Sequence, residues 1–90
     1  MSAASGEVRI ANKRGLHARA SAKFVALASE IDARIEVEKD SQRVCGTSIM
    51  GLMMLGAAMG DTITLHCDGE HCADALDRLS ALVTERFGED

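Results

Sequence analysis

The ninety-residue chain has no tryptophan or tyrosine and only two phenylalanines. Its core must therefore come from Leu, Ile, Val, Met and Ala, which supply most of a 47% hydrophobic content. The three cysteines, Cys45, Cys67 and Cys72, are odd in number and contain no Cys-x-x-Cys pair. No signal peptide is recognisable before the first polar residues, so a reducing, cytoplasmic compartment is expected. No run is long enough to cross a bilayer: the longest apolar stretch, 49–59, is interrupted by Gly51 and Gly56. Ten basic residues are scattered among fourteen acidic ones for a net charge of −4. Without a basic stripe, nucleic acid is excluded as an expected partner.

At this length, with no linker-like stretch, residues 1–90 are expected to form one domain, with a small, polar segment at 1–6 that frays. Glu7 to Ala11 alternates polar with apolar residues and predicts a strand, followed by a turn at Asn12-Lys13-Arg14-Gly15. From about His17 to Glu30, Ala18, Ser21, Ala22, Val25 and Ala28 recur at helical spacing, with Ile31 closing the stripe. Arg34 to Lys39 alternates with Ile35 and Val37 inward, and Asp40-Ser41-Gln42 turns into a short strand at Arg43 to Cys45. Thr47 or Ser48 is placed to cap a second helix from Ile49 to Leu55, with Gly56 and Gly60 at its exit. Asp61 to Cys67 alternates with Ile63, Leu65 and Cys67 on one face, before a turn at Asp68-Gly69. A last helix from His71 to about Phe87 carries Cys72, Leu76, Leu79, Val83 and Phe87 on one stripe, widened by Ala75 and Leu82, and Gly88-Glu89-Asp90 stops it. The order β-α-β-β-α-β-α suits a mostly antiparallel sheet with helices on one face.

The stretch with most chemistry is Gly15-Leu16-His17-Ala18-Arg19-Ala20-Ser21. A histidine at a helix start lies where unpaired N–H groups and the positive end of the helix dipole favour an anion. His17 is a nucleophile when its imidazole is neutral, and Arg19 adds a fixed positive charge. Spacing alone leaves open the plainer reading, that His17 begins the helix and Arg19 solvates it.

With this motif and a second one at Thr47-Ser48-Ile49-Met50-Gly51-Leu52-Met53-Met54-Leu55-Gly56, the chain resembles HPr, the histidine-containing phosphocarrier family of the bacterial phosphotransferase system. The resemblance covers nearly the whole chain. It implies an α+β open-faced sandwich, four antiparallel strands under three helices. It also implies a phosphoryl relay, in which enzyme I, charged from phosphoenolpyruvate, phosphorylates Nδ1 of His17, and His17 passes the group to an enzyme IIA-type acceptor. In that relay the chain is a carrier with no turnover chemistry of its own. By the same resemblance Arg19 screens the phosphate charge, Ser48 is a regulatory site for an ATP-dependent HPr serine kinase/phosphorylase, and Ile49, Met50 and Met53, with Ala22 on the first helix, contact partners. A monomer without cofactor, metal or membrane insertion is implied.

Two departures bear on the branch. Thr47 stands where a basic residue is usual, which bears on kinase recognition of Ser48. Ala20 stands where sugar-transport members commonly have proline. Together with Lys23-Phe24-Val25, Met53-Met54-Leu55 and the acidic ending, Ala20 is more like members of nitrogen-linked or regulatory branches.

Two rival functions come from other classes. One is a regulatory binding module that uses the methionine surface under control of Ser48 phosphorylation. The other is a small metal-binding domain built on His66-Cys67 and His71-Cys72. Alternation turns His66 away from Cys67, and Cys72 belongs to a helical stripe, so these four are not expected to converge. The cysteines are read as small apolar residues.

Overall fold

The alternation in Thr62–Gly69 makes the strand on which the sheet is built. In a computed structural model, which describes residues 2–89, this strand, β4, has Ile63, Leu65 and Cys67 buried on its inner face. Three more strands complete the sheet: β1 (Ser2–Arg9), β2 (Ala33–Lys39) and β3 (Gln42–Cys45). Their order is β1-β4-β2-β3, with every pair antiparallel. Helices α1 (Ala18–Glu30), α2 (Ile49–Met54) and α3 (Cys72–Thr84) pack their buried residues into the same core, and a 3-10 turn follows at Arg86–Gly88. This is the α+β arrangement of four antiparallel strands and three helices anticipated from the sequence. Among the described residues, no helix is long and apolar enough to cross a membrane.

Residues 2–6, expected to fray, are instead part of β1, because the register with β4 runs without a break from Ser2↔Gly69 to Arg9↔Thr62. Backbone pairing here outweighs the weak strand preference of Ser, Ala and Gly. Met1 lies outside the described residues. The β2–β3 hairpin turns through two residues, Asp40 and Ser41, both at positive φ (50° and 68°). That is the two-residue loop whose twist matches a hairpin.

Helix α1 faces the core differently from the expected stripe. Ala20, Ser21, Phe24 and Ala28 are buried, whereas Ala18 and Ala22 are exposed and Val25 is only partly buried. The alanine-weighted stripe is rotated away from Phe24, which lies at the centre of the observed face. Burying a phenylalanine is worth roughly 1.5–3 kcal/mol, against under 1 kcal/mol for a methyl-sized group, so Phe24 decides which side faces inward.

Two further differences concern the end of the chain. The inward positions of Cys67 on β4 and Cys72 at the start of α3 face one another, and the two form a disulfide with Cα atoms 5.6 Å apart. They are therefore not merely the small apolar residues expected from the sequence. The expected continuous helix to Phe87 also ends early, at Thr84. Arg86 and Phe87 take left-handed backbone (φ 61° and 55°). Phe87 is buried all the same, as its place on the stripe predicts, but it reaches the core from a turn that swings the chain towards α1.

Candidate functional site

The loop from Asn12 to Leu16 sets the site. Gly15 has φ 64°, and a side chain there would collide with the carbonyl oxygen of Ala57. The next residue uses that closeness: the Leu16 N–H donates to Ala57 O at 3.0 Å. The turn before α1 is thereby fastened to the segment that leaves α2. Ser21 Oγ donates to Leu16 O at 3.1 Å, tying the first turn of α1 back to the loop.

His17 is the N-cap of α1, with extended backbone (φ −74°, ψ −179°), and its carbonyl accepts the first helical bond from Ser21 N at 2.9 Å. Its ring caps the helix as well: Nδ1 accepts from the Arg19 N–H at 3.3 Å. The imidazole is thus fixed at the positive end of a thirteen-residue helix with no acidic residue in its first turn. Arg19 is exposed, and its guanidinium has no ion pair among the described residues. It is free to meet an incoming anion.

The other ring nitrogen meets a residue that the sequence pattern did not single out. Nε2 of His17 lies 2.6 Å from Oε2 of Glu89, and each side chain retains only 17% of its exposure. The second carboxylate oxygen, Oε1, accepts from Asn12 Nδ2 at 3.1 Å. That same nitrogen also donates to Gly15 O at 2.9 Å. Asn12 is fully buried, and its Oδ1 has no partner among the described residues. Burial alone pushes the Glu89 carboxyl upward, but hydrogen bonds from His17 and Asn12, with the nearby positive charge of Lys23, hold it below the ordinary glutamate value.

The second motif is built around Ser48, the N-cap of α2, whose Oγ accepts from the Gly51 N–H at 3.0 Å. Of the two residues expected to cap this helix, Ser48 does so. Thr47 instead places its hydroxyl 3.0 Å from Cys45 Sγ. Only Leu52 within α2 is buried, whereas Met50 and Met54 are 69% and 75% exposed and Ile49 and Met53 are 40% exposed each. Ala22 lies on the exposed side of α1, the helix that packs against α2. His66, by contrast, turns to Glu38 on the open face of the sheet, with Nε2 2.7 Å from Oε1. Cys67 points the other way to its disulfide partner, so His66, Cys67, His71 and Cys72 share no centre.

A family model described as "PTS HPr component phosphorylation site" matches residues 4–85. The chain belongs to the HPr phosphocarrier family. It is a phosphocarrier of the phosphotransferase system, a carrier of phosphoryl groups and not a turnover catalyst. Among its HPr relatives, the phosphocarrier protein HPr of Cupriavidus necator is 46% identical over 83 residues, 92% of this chain and 93% of its own. The phosphocarrier protein NPr of Shewanella violacea is also 46% identical over 83 residues, 92% of this chain and 91% of its own. The crystal structure of an HPr from Thermoanaerobacter tengcongensis superposes with a TM-score of 0.91 at 40% identity, over 97% of this chain and 98% of that one.

Glu89 and Asn12 were missed because nothing local marks them. The first lies in a charged stretch after a helix, and the second in an ordinary turn. The only usable signal was Phe87: an apolar residue on the α3 stripe, once anchored, carries the residue two positions later towards the rest of the core face.

Proposed function

We propose that Nδ1 of His17 accepts a phosphoryl group from phosphorylated enzyme I and hands it to an enzyme IIA-type acceptor. The observation that carries this reading is the placement of His17: its Nδ1 faces the backbone N–H groups at the start of α1, with Arg19 exposed two residues on. Those N–H groups and the guanidinium supply donors and positive charge where phosphoryl oxygens would lie. His17 is partly exposed and the site has few fixed ligands, which suits a group that must leave as readily as it arrives. Arg19 moderates the phosphate charge.

The exposed run of Ile49, Met50 and Met53, with Ala22 on the exposed side of α1, is the docking surface for these partners, since unbranched methionines adapt to more than one face. The protein works as a cytoplasmic monomer of one domain over residues 1–90. Ser48 is a regulatory phosphorylation site: a phosphate on its oxygen adds about two negative charges at the N-terminus of α2 and repels an acidic partner. Thr47, which supplies no positive charge beside it, weakens recognition by an HPr kinase. The regulatory branch is favoured by Ala20 and the methionine run, and one relative at 46% identity is named NPr.

The test is incubation with phosphoenolpyruvate and cognate enzyme I, followed by a search for an acid-labile, base-stable phosphate. One phosphate per chain, absent in His17→Ala, is expected. Labelling that persists in His17→Ala would overturn the assignment. A protein left unlabelled but still binding acceptors through α2 would favour the rival reading, a binding module controlled at Ser48.

A further inference from the structure

We propose that Glu89 is a positioning residue for phosphoryl transfer, holding the proton of His17 on Nε2 so that the lone pair of Nδ1 is the one offered to phosphorus. The inference rests on the reading of His17 as the phosphoryl carrier and adds to it the group that selects the reacting nitrogen.

Both sides of the ring require the same tautomer. An ionised carboxylate only accepts hydrogen bonds, so Oε2 of Glu89 at 2.6 Å needs an N–H at Nε2. A backbone N–H only donates, so the Arg19 amide at 3.3 Å needs a lone pair at Nδ1. Had Nδ1 carried the proton, two donors would oppose one another at one end of the ring and two acceptors at the other. The contact with Glu89 is much the shorter, and its acceptor is charged, so it has the greater hold on the tautomer.

The carboxylate is itself fixed. Its other oxygen accepts from Asn12 Nδ2, which also holds the carbonyl of Gly15 in the loop that delivers His17. The chain before Glu89 is anchored by the buried Phe87 ring and by Lys23 Nζ, which donates to Phe87 O at 2.7 Å. A ring whose proton is held in this way, by a carboxylate with its own partner, presents the opposite nitrogen in a set orientation.

In the forward step the Nδ1 lone pair forms the N–P bond while the bond from phosphorus to enzyme I breaks, and its electron pair leaves with enzyme I. Nε2 keeps its proton throughout. The imidazole then carries positive charge, and Glu89 faces it directly. On delivery the N–P pair returns to Nδ1 as the acceptor bonds to phosphorus, and the neutral ring is restored with its proton in place.

The experiment reads the ring and the reaction separately. Ring nitrogen NMR shifts of unphosphorylated, 15N-histidine-labelled protein, recorded well above the ordinary histidine pKa and assigned with His17→Ala, report the tautomer directly. Wild-type protein is expected to show a bare Nδ1 and a protonated Nε2 at His17. In Glu89→Gln, whose amide donates as well as accepts, a mixture of tautomers is expected, with phosphotransfer from phosphorylated enzyme I slowed roughly 10- to 100-fold. Glu89→Asp, which restores a carboxylate, is expected to recover most of both signals. An unchanged tautomer in Glu89→Gln, or a transfer rate within about twofold of wild type, would sink the proposal. If wild-type protein took no phosphate at all, the carrier reading would fail instead, and the ring shifts would still decide what Glu89 does.

Discussion

Lys23, in the middle of α1, donates through Nζ to the carbonyl oxygen of Phe87 at 2.7 Å, joining residues 64 positions apart. This bond and the buried Phe87 ring hold the turn that brings Glu89 to His17. Lys23→Met keeps the alkyl stem and removes the donor. It is expected to cost about 1 kcal/mol in urea unfolding, the usual net worth of one such bond near the surface. It should also broaden the Glu89 amide resonance, because the tail loses an anchor.

Gly15 makes a sharper test of the loop. Gly15→Ala sets a methyl against the Ala57 carbonyl and asks an L-residue to hold φ 64°. A loss of roughly 2–4 kcal/mol is expected from strain and displaced backbone, read as a lower midpoint of thermal unfolding. Phosphorylation of His17 should slow in the same variant, since the Leu16–Ala57 bond that seats the helix start is broken.

The orientation of α1 separates two neighbouring positions. Phe24→Ala is expected to destabilise by about 3–5 kcal/mol through lost burial and the cavity left behind. Ala22→Gln, on the exposed side, should stay within about 0.5 kcal/mol in the same denaturant titration. Equal effects at the two positions would contradict the rotation of the helix described above.

The pH dependence of the Glu89 contact has a definite sign. Its folded-state pKa is lower than in an unfolded chain, chiefly because the bonds from His17 and Asn12 outweigh burial. The stabilisation is therefore fully present above the ordinary 4.5 of a glutamate and fades as pH falls through the lower, folded value. A 13C titration of the Glu89 carboxyl should have its midpoint below that of glutamate in a denatured chain. In Asn12→Ala the midpoint should move back upward.

Cys45 is the exposed free thiol among the described residues, and the Thr47 hydroxyl beside it draws its pKa down, burial opposing only weakly. Iodoacetamide at mildly alkaline pH should therefore label Cys45 faster than a cysteine in a denatured chain. In Thr47→Val, which lacks the hydroxyl, the rate should fall. Without reductant, mass spectrometry should find one label per chain, because Cys67 and Cys72 are paired and buried.

The strands and the His17 and Ser48 motifs were legible because their signals are local. Alternation in Ile35-Glu36-Val37 or Ile63-Thr64-Leu65 reports a half-buried sheet directly, and a hydroxyl before an apolar run reports a cap. What was missed depends on partners distant in the chain. Alanine is weakly apolar, so the Ala18–Ala22–Val25 spacing could not compete with Phe24 for the core side of α1. Cys67 and Cys72 were each placed inward correctly, yet that the two inward directions meet follows only from how the 68–71 turn folds α3 back onto β4. Glu89 and Asn12 lie 77 positions apart, and no periodicity relates them.

The order of the sheet has a bearing on how the protein is made. Among the described residues, β1 pairs in the sheet only with β4, which begins more than fifty residues later, and β4 lies between β1 and β2. During synthesis, Ser2–Arg9 leaves the ribosome well before β4 and waits without its sheet neighbour, while the β2–β3 hairpin forms beside an open edge. The central strand closes both gaps in one late event that depends on contacts far apart in the chain. A pause in translation before residues 62–69 would leave two unpaired edges exposed, and it is there, not at the exposed methionines, that this chain is most open to pairing with another copy of itself.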